Sequence, residues 1–500
     1  METYDTTTNA NAPKQRQTDE LVELAQQQVT LVCDSSRRTY AWIPQKGGGV
    51  TLAGLRSRMF RRHLQRSYRA KYGTVPSQHT VSAAVEALDA EAADSEEATL
   101  HTRIAGGDGV VRVDLNDQSG RAVEATSEGW KVAASPDTAF RRKPTARALP
   151  EPIRGGSLGR LGDFINVSGS DLKLVIAWAV GALLPEGPYP VLILQGEAGT
   201  AKSTASKLLK SLIDPGLPLL RPLPRSERDL AIAAEGAHVL AFDNLSGLPT
   251  WMSDALCRLS TGGGFATRAL FTDDEEWVVE ITRPLVLNGI DAIATRQDLI
   301  TRALVIRLDT IPPEDRVDEA EILAAFEAER PRLLGALMDA VSMAIQQAPS
   351  TQLSHRPRMA DFASWVTAAE PALGWEPGTF LAAYEANAAY ALRLSLDGSP
   401  VARAVTELVR SPGGEPSWEG TPTQLLDVIT QFRPLEVTKG RAWPANAQSL
   451  SRKLTLLAPA LRADGIDIVD MHQGRDADKE RWVVVTDRHR SGDAGDGGDA

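Results

Sequence analysis

The sequence predicts a mixed α/β fold: a parallel sheet with helices on its faces, an α+β segment before it, a helical segment after it, and a terminal unit of helices and a hairpin. Three observations carry this. Residues 158–310 alternate short apolar runs with amphipathic helical periods, the rhythm of strand–helix–strand units. One run, Val191 to Gln195, passes through a glycine-bearing turn into a helix with Leu208, Leu209, Leu212 and Ile213 on one face. Near the end, helical periods give way to two strands, GIDIVDM and RWVVVT, around the polar turn HQGRDADKE.

Residues 1–17, METYDTTTNANAPKQRQ, are polar, lack the apolar core of an export leader and are expected to be an unstructured tail. Residues 18–95 read as a basic helical region. From Ser35 to Val85 there is no Asp or Glu, and LAGLRSRMFRRHLQRSYRAKYG sets Leu52, Leu55, Met59, Leu64 and Tyr68 near helical spacing among arginines. Two readings stand open. Arg58, Arg61 and Arg62 pair with the acidic stretch EALDAEAADSEEA that follows, or they track a nucleic-acid backbone. Residues 96–145 alternate in short strands with turn signals at GGDG and NDQSG, a small antiparallel sheet in which Asp114 and Asp117 belong to a hairpin turn. The proline-rich stretch from Lys143 to Gly156 reads as a linker. The parallel core is expected over 155–312, a helical region over 313–400, a winged-helix-like unit over 401–488 and a second unstructured tail over 489–500. In the winged-helix-like unit Arg452 and Lys453 lie on the helix that such units place in a DNA major groove; a protein-binding module with a solvated basic turn fits equally.

A length of 500 residues suggests about three domains. The net charge of −11 argues against a histone-like coat for nucleic acid, and two cysteines, Cys33 and Cys257, form no metal or disulfide pattern. That cysteine usage and the missing leader point to the cytoplasm. The longest apolar run, LKLVIAWAVGALL, is shorter than the roughly 20 residues of a membrane-spanning helix. Abundant Ala, Arg, Gly and Pro suggest a GC-rich bacterial genome or a mobile element within one.

The turn after Gln195 carries the chemistry. Gly196, Glu197, Ala198, Gly199, Thr200, Ala201, Lys202, Ser203 and Thr204 follow the layout of a phosphate-binding loop, in which backbone N–H groups and the helix dipole cradle phosphates. Lys202 would reach the β and γ phosphates, and the Ser203 hydroxyl would ligate Mg²⁺. Ala201 stands where the pattern has glycine. Such a loop predicts further parts. HVLAFDNLS supplies a buried strand leading to Asp243, an acid that supports the Mg²⁺ through water. The next residue is Asn244, whose amide orients water but cannot accept its proton, so general-base help is lost there. RPLVLNGI ends its apolar run at Asn288, and RQDLITRALVIRL offers Arg302, with Arg296 as competitor, for an arginine reaching a neighbouring subunit's nucleotide.

Taken in order, GEAGTAKST, LAFDNLS, LCRLSTGGGFATRALFTDDEE, RPLVLNGI and RQDLITRALVIRL resemble the superfamily 3 AAA+ helicases, and more narrowly the poxvirus-type primase-helicase proteins of phages and integrated elements. The resemblance covers about Gly155 to Pro312. It implies a DNA-dependent ATPase in rings, typically hexamers, with ATP between subunits. Lys202 and Ser203 become the phosphate and metal residues, Asp243 the acid supporting Mg²⁺, Asn288 the sensor and Arg302 the finger acting in trans. The family's pore hairpin would be ATRALFTDDEEWVVEIT. Its tip, Thr272 to Glu275, is acidic where a phosphate-gripping tip is basic, which leaves Arg268 as the nearest basic candidate. No primase half is evident, so a primase would be a separate partner.

Three functions follow as expectations. The first is a replication helicase or translocase acting on single-stranded or forked DNA. The second is a nucleotide-gated DNA-binding loader or regulator with slow turnover, favoured by Asn244 and the acidic tip. The third is a defence or regulatory ATPase with a protein substrate.

Overall fold

The computed structural model describes residues 12–44, 49–117, 119–134, 138–268, 276–290, 293, 296–431, 433–440, 442–473 and 480–491. The N-terminal part contains α1 (Ala12–Gln28), β1 (Thr30–Cys33), β2 (Thr39–Pro44), β3 (Val50–Gly54), α2 (Arg58–Tyr72) and α3 (Gln78–Ala93). The first helix begins inside the stretch expected to be a tail. The region expected to be helical over 18–95 also holds a three-stranded antiparallel sheet in the order β1-β2-β3. Tyr40, Trp42, Ile43, Val50 and Thr51 are aromatic or β-branched and suit a pleated surface. Leu52 therefore lies in a strand. The arginine-rich helix starts only after Ser57, whose side chain accepts the Phe60 N–H, and ends at Gly73, whose φ of 73° suits glycine. Phe60, Leu64 and Tyr68 form its buried face, while Met59, expected on that face, is 43% exposed.

A meander of four antiparallel strands follows: β4 (Ile104–Gly107), β5 (Val110–Asp114), β6 (Arg121–Thr126) and β7 (Gly129–Ala134). The proline-rich stretch after it is no free linker. The Leu149 N–H bonds to the Leu115 carbonyl, the Arg147 carbonyl accepts from Arg103, and the Ile153 N–H bonds to the Pro331 carbonyl. Proline-poor at these donor positions, the strap satisfies its backbone against elements on both sides.

The central part comprises α4 (Gly169–Gly181), β8 (Val191–Gln195), α5 (Lys202–Ile213), α6 (Glu227–Gly236), β9 (Leu240–Leu245), α7 (Thr250–Thr261), β10 (Gly264–Arg268), β11 (Glu276–Glu280), β12 (Leu285–Gly289), α8 (Gln297–Ile300) and β13 (Ala303–Arg307). Four strands make a parallel sheet in the order β13-β8-β12-β9. Beyond β9 the sheet continues as a single parallel rung between Arg221 and Phe242. Helices cover both faces, which is why the strands are continuous apolar runs. Leu192, Leu194, Val286 and Leu304 point to one core, and Val191, Ile193, Phe242, Leu287 and Val305 to the other. Strands β10 and β11 form an antiparallel hairpin; its expected tip, Thr272 to Glu275, lies outside the described residues.

Three helices follow, α9 (Glu319–Gln347), α10 (Ala360–Leu373) and α11 (Thr379–Asp397). The C-terminal unit runs α12 (Pro400–Arg410), β14 (Ser417–Gly420), α13 (Pro422–Gln431), α14 (Leu435–Thr438), α15 (Ala447–Ala463), β15 (Ile466–Gln473), β16 (Glu480–Asp487) and α16 (Arg488–Ser491), with the sheet order β14-β16-β15. The last helix enters the stretch expected to be a tail, whose residues 492–500 lie outside the described set. Among the described residues no helix is long and apolar enough to cross a membrane.

Candidate nucleotide site at the carboxyl edge of the parallel sheet

Strand β8 is buried on both faces and delivers the chain to the loop 196–201 at the carboxyl edge of the sheet, where open α/β sheets take their ligands. A methyl on Gly196 would lie 2.7 Å from the Leu308 carbonyl oxygen, so only glycine fits there. Ala201 adopts the left-handed conformation, φ 62° and ψ 27°, at the position expected to want glycine. The fold thus keeps the backbone shape of the glycine pattern with an L-residue in it, at a cost of roughly 1 kcal/mol. The Lys202 ammonium turns back into the loop and donates to the carbonyls of Gly196 at 2.7 Å and Glu197 at 2.5 Å. Burial draws its pKa below the usual lysine range, against the opposing pull of the Asp243 carboxylate.

Ser203 donates to the Asp243 carboxylate at 2.8 Å. A hydroxyl and a carboxylate at this separation are hard oxygen donors of the kind Mg²⁺ takes alongside water and phosphate oxygens, so these residues fit that ion. A β-bulge aims Asp243. Leu287 pairs with Phe242 and Gly289 with Leu245, so Asp243 and Asn244 together face Asn288. Asn244 takes φ 57° in the bulge, and its side chain is exposed. Asparagine is among the few L-residues that enter this region readily, which gives a backbone reason for the amide at 244.

Asn288, 1% exposed at the end of β12, joins the two walls of the site. Its Oδ1 accepts the Asn244 N–H at 3.0 Å, and its Nδ2 donates to Ser206 Oγ at 2.8 Å. Ser206 commits its own proton to the Lys202 carbonyl at 2.9 Å. The amide orientation is therefore fixed, since reversal would oppose donor to donor at Asn244. Asn288→Asp sets a carboxylate oxygen against an already committed hydroxyl. It is expected to cost about 1–3 kcal/mol, read as a lower urea midpoint at neutral pH; an unchanged midpoint would refute the network.

Two residues here carried no signal in the sequence. Glu319, at the start of α9, accepts from Thr204 Oγ1 at 3.1 Å and Lys207 Nζ at 2.8 Å, tying α5 to the helical region. Lys207 and Thr204 hold its carboxyl below the usual range. Arg316 brings its guanidinium within 3.4 Å of where a Gly199 side chain would start. Both sit a hundred residues beyond the loop, in sequence with no motif of its own.

Arg302 lies at the other edge of the sheet. Its carbonyl accepts the N–H of Val191, the first residue of β8, so it cannot meet Lys202 of its own chain. Its guanidinium is held by Asp298, which also takes Arg358, and its side chain is 18% exposed. Arg296 pairs with Asp254 at the same edge and is 42% exposed. Of the residues expected to touch DNA, Arg58 and Arg62 are exposed on α2, while Arg61 donates to Ser82 Oγ at 3.1 Å. Arg268 pairs in register with Glu276 in the hairpin. Arg452 is exposed on α15, but Lys453 is turned onto the Ala442 carbonyl, a local contact that takes it off the helix's open face. Cys33 and Cys257 are buried and unpaired.

The profile of the actinomycete integrative conjugative element replication protein matches residues 157–390, and that of the AICE RepA C-terminal domain matches residues 401–493. The chain belongs to this RepA family of mobile-element replication proteins. The first match spans the loop, Asp243, Asn288 and Arg302; the second spans α12 to β16. No curated protein matches this replication protein. Among solved structures it is similar to the A-form apo structure of the NrS-1 C-terminal region, with 11% identity over 93% of this chain and 98% of that one and a TM-score of 0.42. An apo structure of the NrS-1 C-terminal region (305-718) gives 12% identity over 94% and 99% of the two chains and a TM-score of 0.40.

Proposed function

We propose that this replication protein is a Mg²⁺-dependent ATPase of the superfamily 3 AAA+ type that moves DNA as a ring-forming helicase or translocase. The supporting observation is the Ser203–Asp243 contact at 2.8 Å beside Lys202, with Asn288 bonded to both α5 and β9. The loop amides and Lys202 would hold the phosphates. Ser203, with Asp243 through water, would hold Mg²⁺ where it neutralises charge on the transferred group. Arg302, out of reach of its own loop, would act on the nucleotide of an adjacent protomer in a hexamer. The order helix, strand, helices, then two antiparallel strands from α12 to β16 supports the winged-helix reading of the C-terminal unit. Single-stranded or forked DNA is the substrate, and a primase is a separate partner.

The test is ATP turnover with and without single-stranded DNA, with Lys202→Ala as the blank. Turnover that rises with DNA and vanishes in the variant is expected; equal inactivity of both proteins would sink the motor. A second reading, a loader that binds ATP and turns it over slowly, is favoured by Asn244, which puts no proton acceptor beside Asp243. Strand displacement on a forked duplex separates the two, because only the motor unwinds it.

A further inference from the structure

Helix α2 carries a charge stripe that no other side chain among the described residues pairs with. At 3.6 residues per turn, Arg58, Arg62, Arg66 and Arg69 fall within an arc of about 80°, on the side away from Phe60, Leu64 and Tyr68. All four are exposed. The acidic residues that follow in sequence do not cover them. Asp89 takes Arg56 and Thr39 instead, and Glu91 takes Gln26. None of the four stripe guanidiniums makes a hydrogen bond or ion pair among the described residues. Among the described residues Arg61, one step round the helix, is the only α2 arginine whose side chain is engaged, on Ser82.

Such a stripe is unfavourable for the helix that bears it. Arg58 and Arg62, and Arg62 and Arg66, are like charges four residues apart. Arg58 also sits in the first turn, where the helix dipole disfavours a cation. In a chain of net charge −11, this concentration of positive charge goes unpaired among the described residues. Four guanidiniums in line over roughly 16 Å match a linear polyanion.

We propose that the α2 stripe is a docking surface for the DNA phosphate backbone, independent of the nucleotide site. Its contacts are to phosphates, so they position DNA without reading its bases. The inference rests on the reading of the chain as a DNA-handling protein and not on ATP hydrolysis.

Fluorescence anisotropy with a labelled single strand, and with the duplex of the same sequence, tests it in the absence of nucleotide. Arg62→Ala/Arg66→Ala is expected to weaken binding about tenfold or more. It should also make the slope of log affinity against log salt shallower by about 1.8 on duplex or about 1.4 on single strand. Whichever form loses affinity is the form held. Arg62→Lys/Arg66→Lys, which keeps the charge, should bind close to the wild type. Wild-type affinity and slope in the alanine variant on both forms would overturn the proposal, as expected for a stripe that docks an acidic protein. So would equal loss in the lysine variant, because the arginines would then be structural. Repeating the series with Lys202→Ala isolates the result, since a failed nucleotide site leaves this binding unchanged.

Discussion

Asp214→Ala is expected to destabilise the protein by about 3–5 kcal/mol, the usual consequence of removing one member of a buried, hydrogen-bonded ion cluster. Asp214 ends α5 and is 4% exposed. Its carboxylate accepts from Arg103 Nε at 3.0 Å, from Lys210 Nζ at 2.6 Å and from the N–H groups of His238 and Val239 at 2.8 and 3.0 Å. Burial pushes its pKa up, but Lys210 and Arg103 outweigh this and hold the carboxyl well below the carboxylate range. Removing it strands two buried cations. Beside it, burial and the Arg283 charge bring His238 down to about 3. Its Nε2–H donates to the Ala182 carbonyl at 2.6 Å, a bond that opposes the downward shift, but burial and Arg283 outweigh it and keep the folded imidazole neutral at neutral pH.

The pH dependence follows from both groups. An unfolded histidine binds its proton below about 6.5, whereas folded His238 resists it until about 3. Protonation therefore favours the unfolded chain across that window. The stability due to His238 is complete above about pH 6.5 and falls by about 1.4 kcal/mol per unit as pH drops toward 3. Asp214 adds a loss below about pH 4, as its unfolded form takes up a proton that the folded form refuses. Thermal melts of the wild type should fall from neutral pH to pH 4.5, and His238→Gln should flatten that fall. A wild-type melting temperature constant over this interval would contradict the assignment.

For the proposed ring ATPase, Arg302→Ala is expected to lower turnover by about a thousandfold while leaving ATP binding intact, the scale of an arginine that stabilises transferring phosphoryl charge. Because Arg302 and Lys202 lie on opposite edges of one sheet, the defect should be complementable. Mixed Arg302→Ala and Lys202→Ala proteins would form junctions in which an intact loop faces an intact arginine, and activity should return above either alone. The Asp298 clamp has to open for this, so Asp298→Ala should not abolish turnover. If Arg296→Ala gives the defect and Arg302→Ala does not, the finger is Arg296. Loss of ATP binding in Arg302→Ala would make the residue structural.

The mixed α/β character and the parallel sheet were legible because strands buried on both faces leave continuous apolar runs, such as those ending at Gln195 and Asn288. The approach of Ser203 to Asp243 was legible as a motif, since the helix that opens after β8 and the acid on β9 both belong to the carboxyl side of the same sheet. What the sequence hid was long-range. Glu319 and Arg316 reach the loop through the packing of α9, and no local period encodes that. The sheet β1-β2-β3 was masked because Leu52 and Leu55 fall at helical spacing from Leu64, although Gly54 and Ser57 end the strand between them. The strap at 143–156 read as a linker from its prolines, yet its amides are donated to Leu115 and Pro331, partners that only the folded chain supplies. The two open readings of the α2 arginines could not be separated in sequence, because only the folded chain shows α3 turning Asp89 toward Arg56.

The bulge in β9 has one more consequence. One residue there answers to two demands that no single side chain meets well. The backbone at 244 asks for a residue at ease with a positive φ, and hydrolysis asks for a proton acceptor on a longer arm. Asparagine satisfies the first. Position 244 has thus been given over to shape, so in the proposed ATPase the acceptor of the water's proton would stand elsewhere, in this chain or in an adjacent protomer.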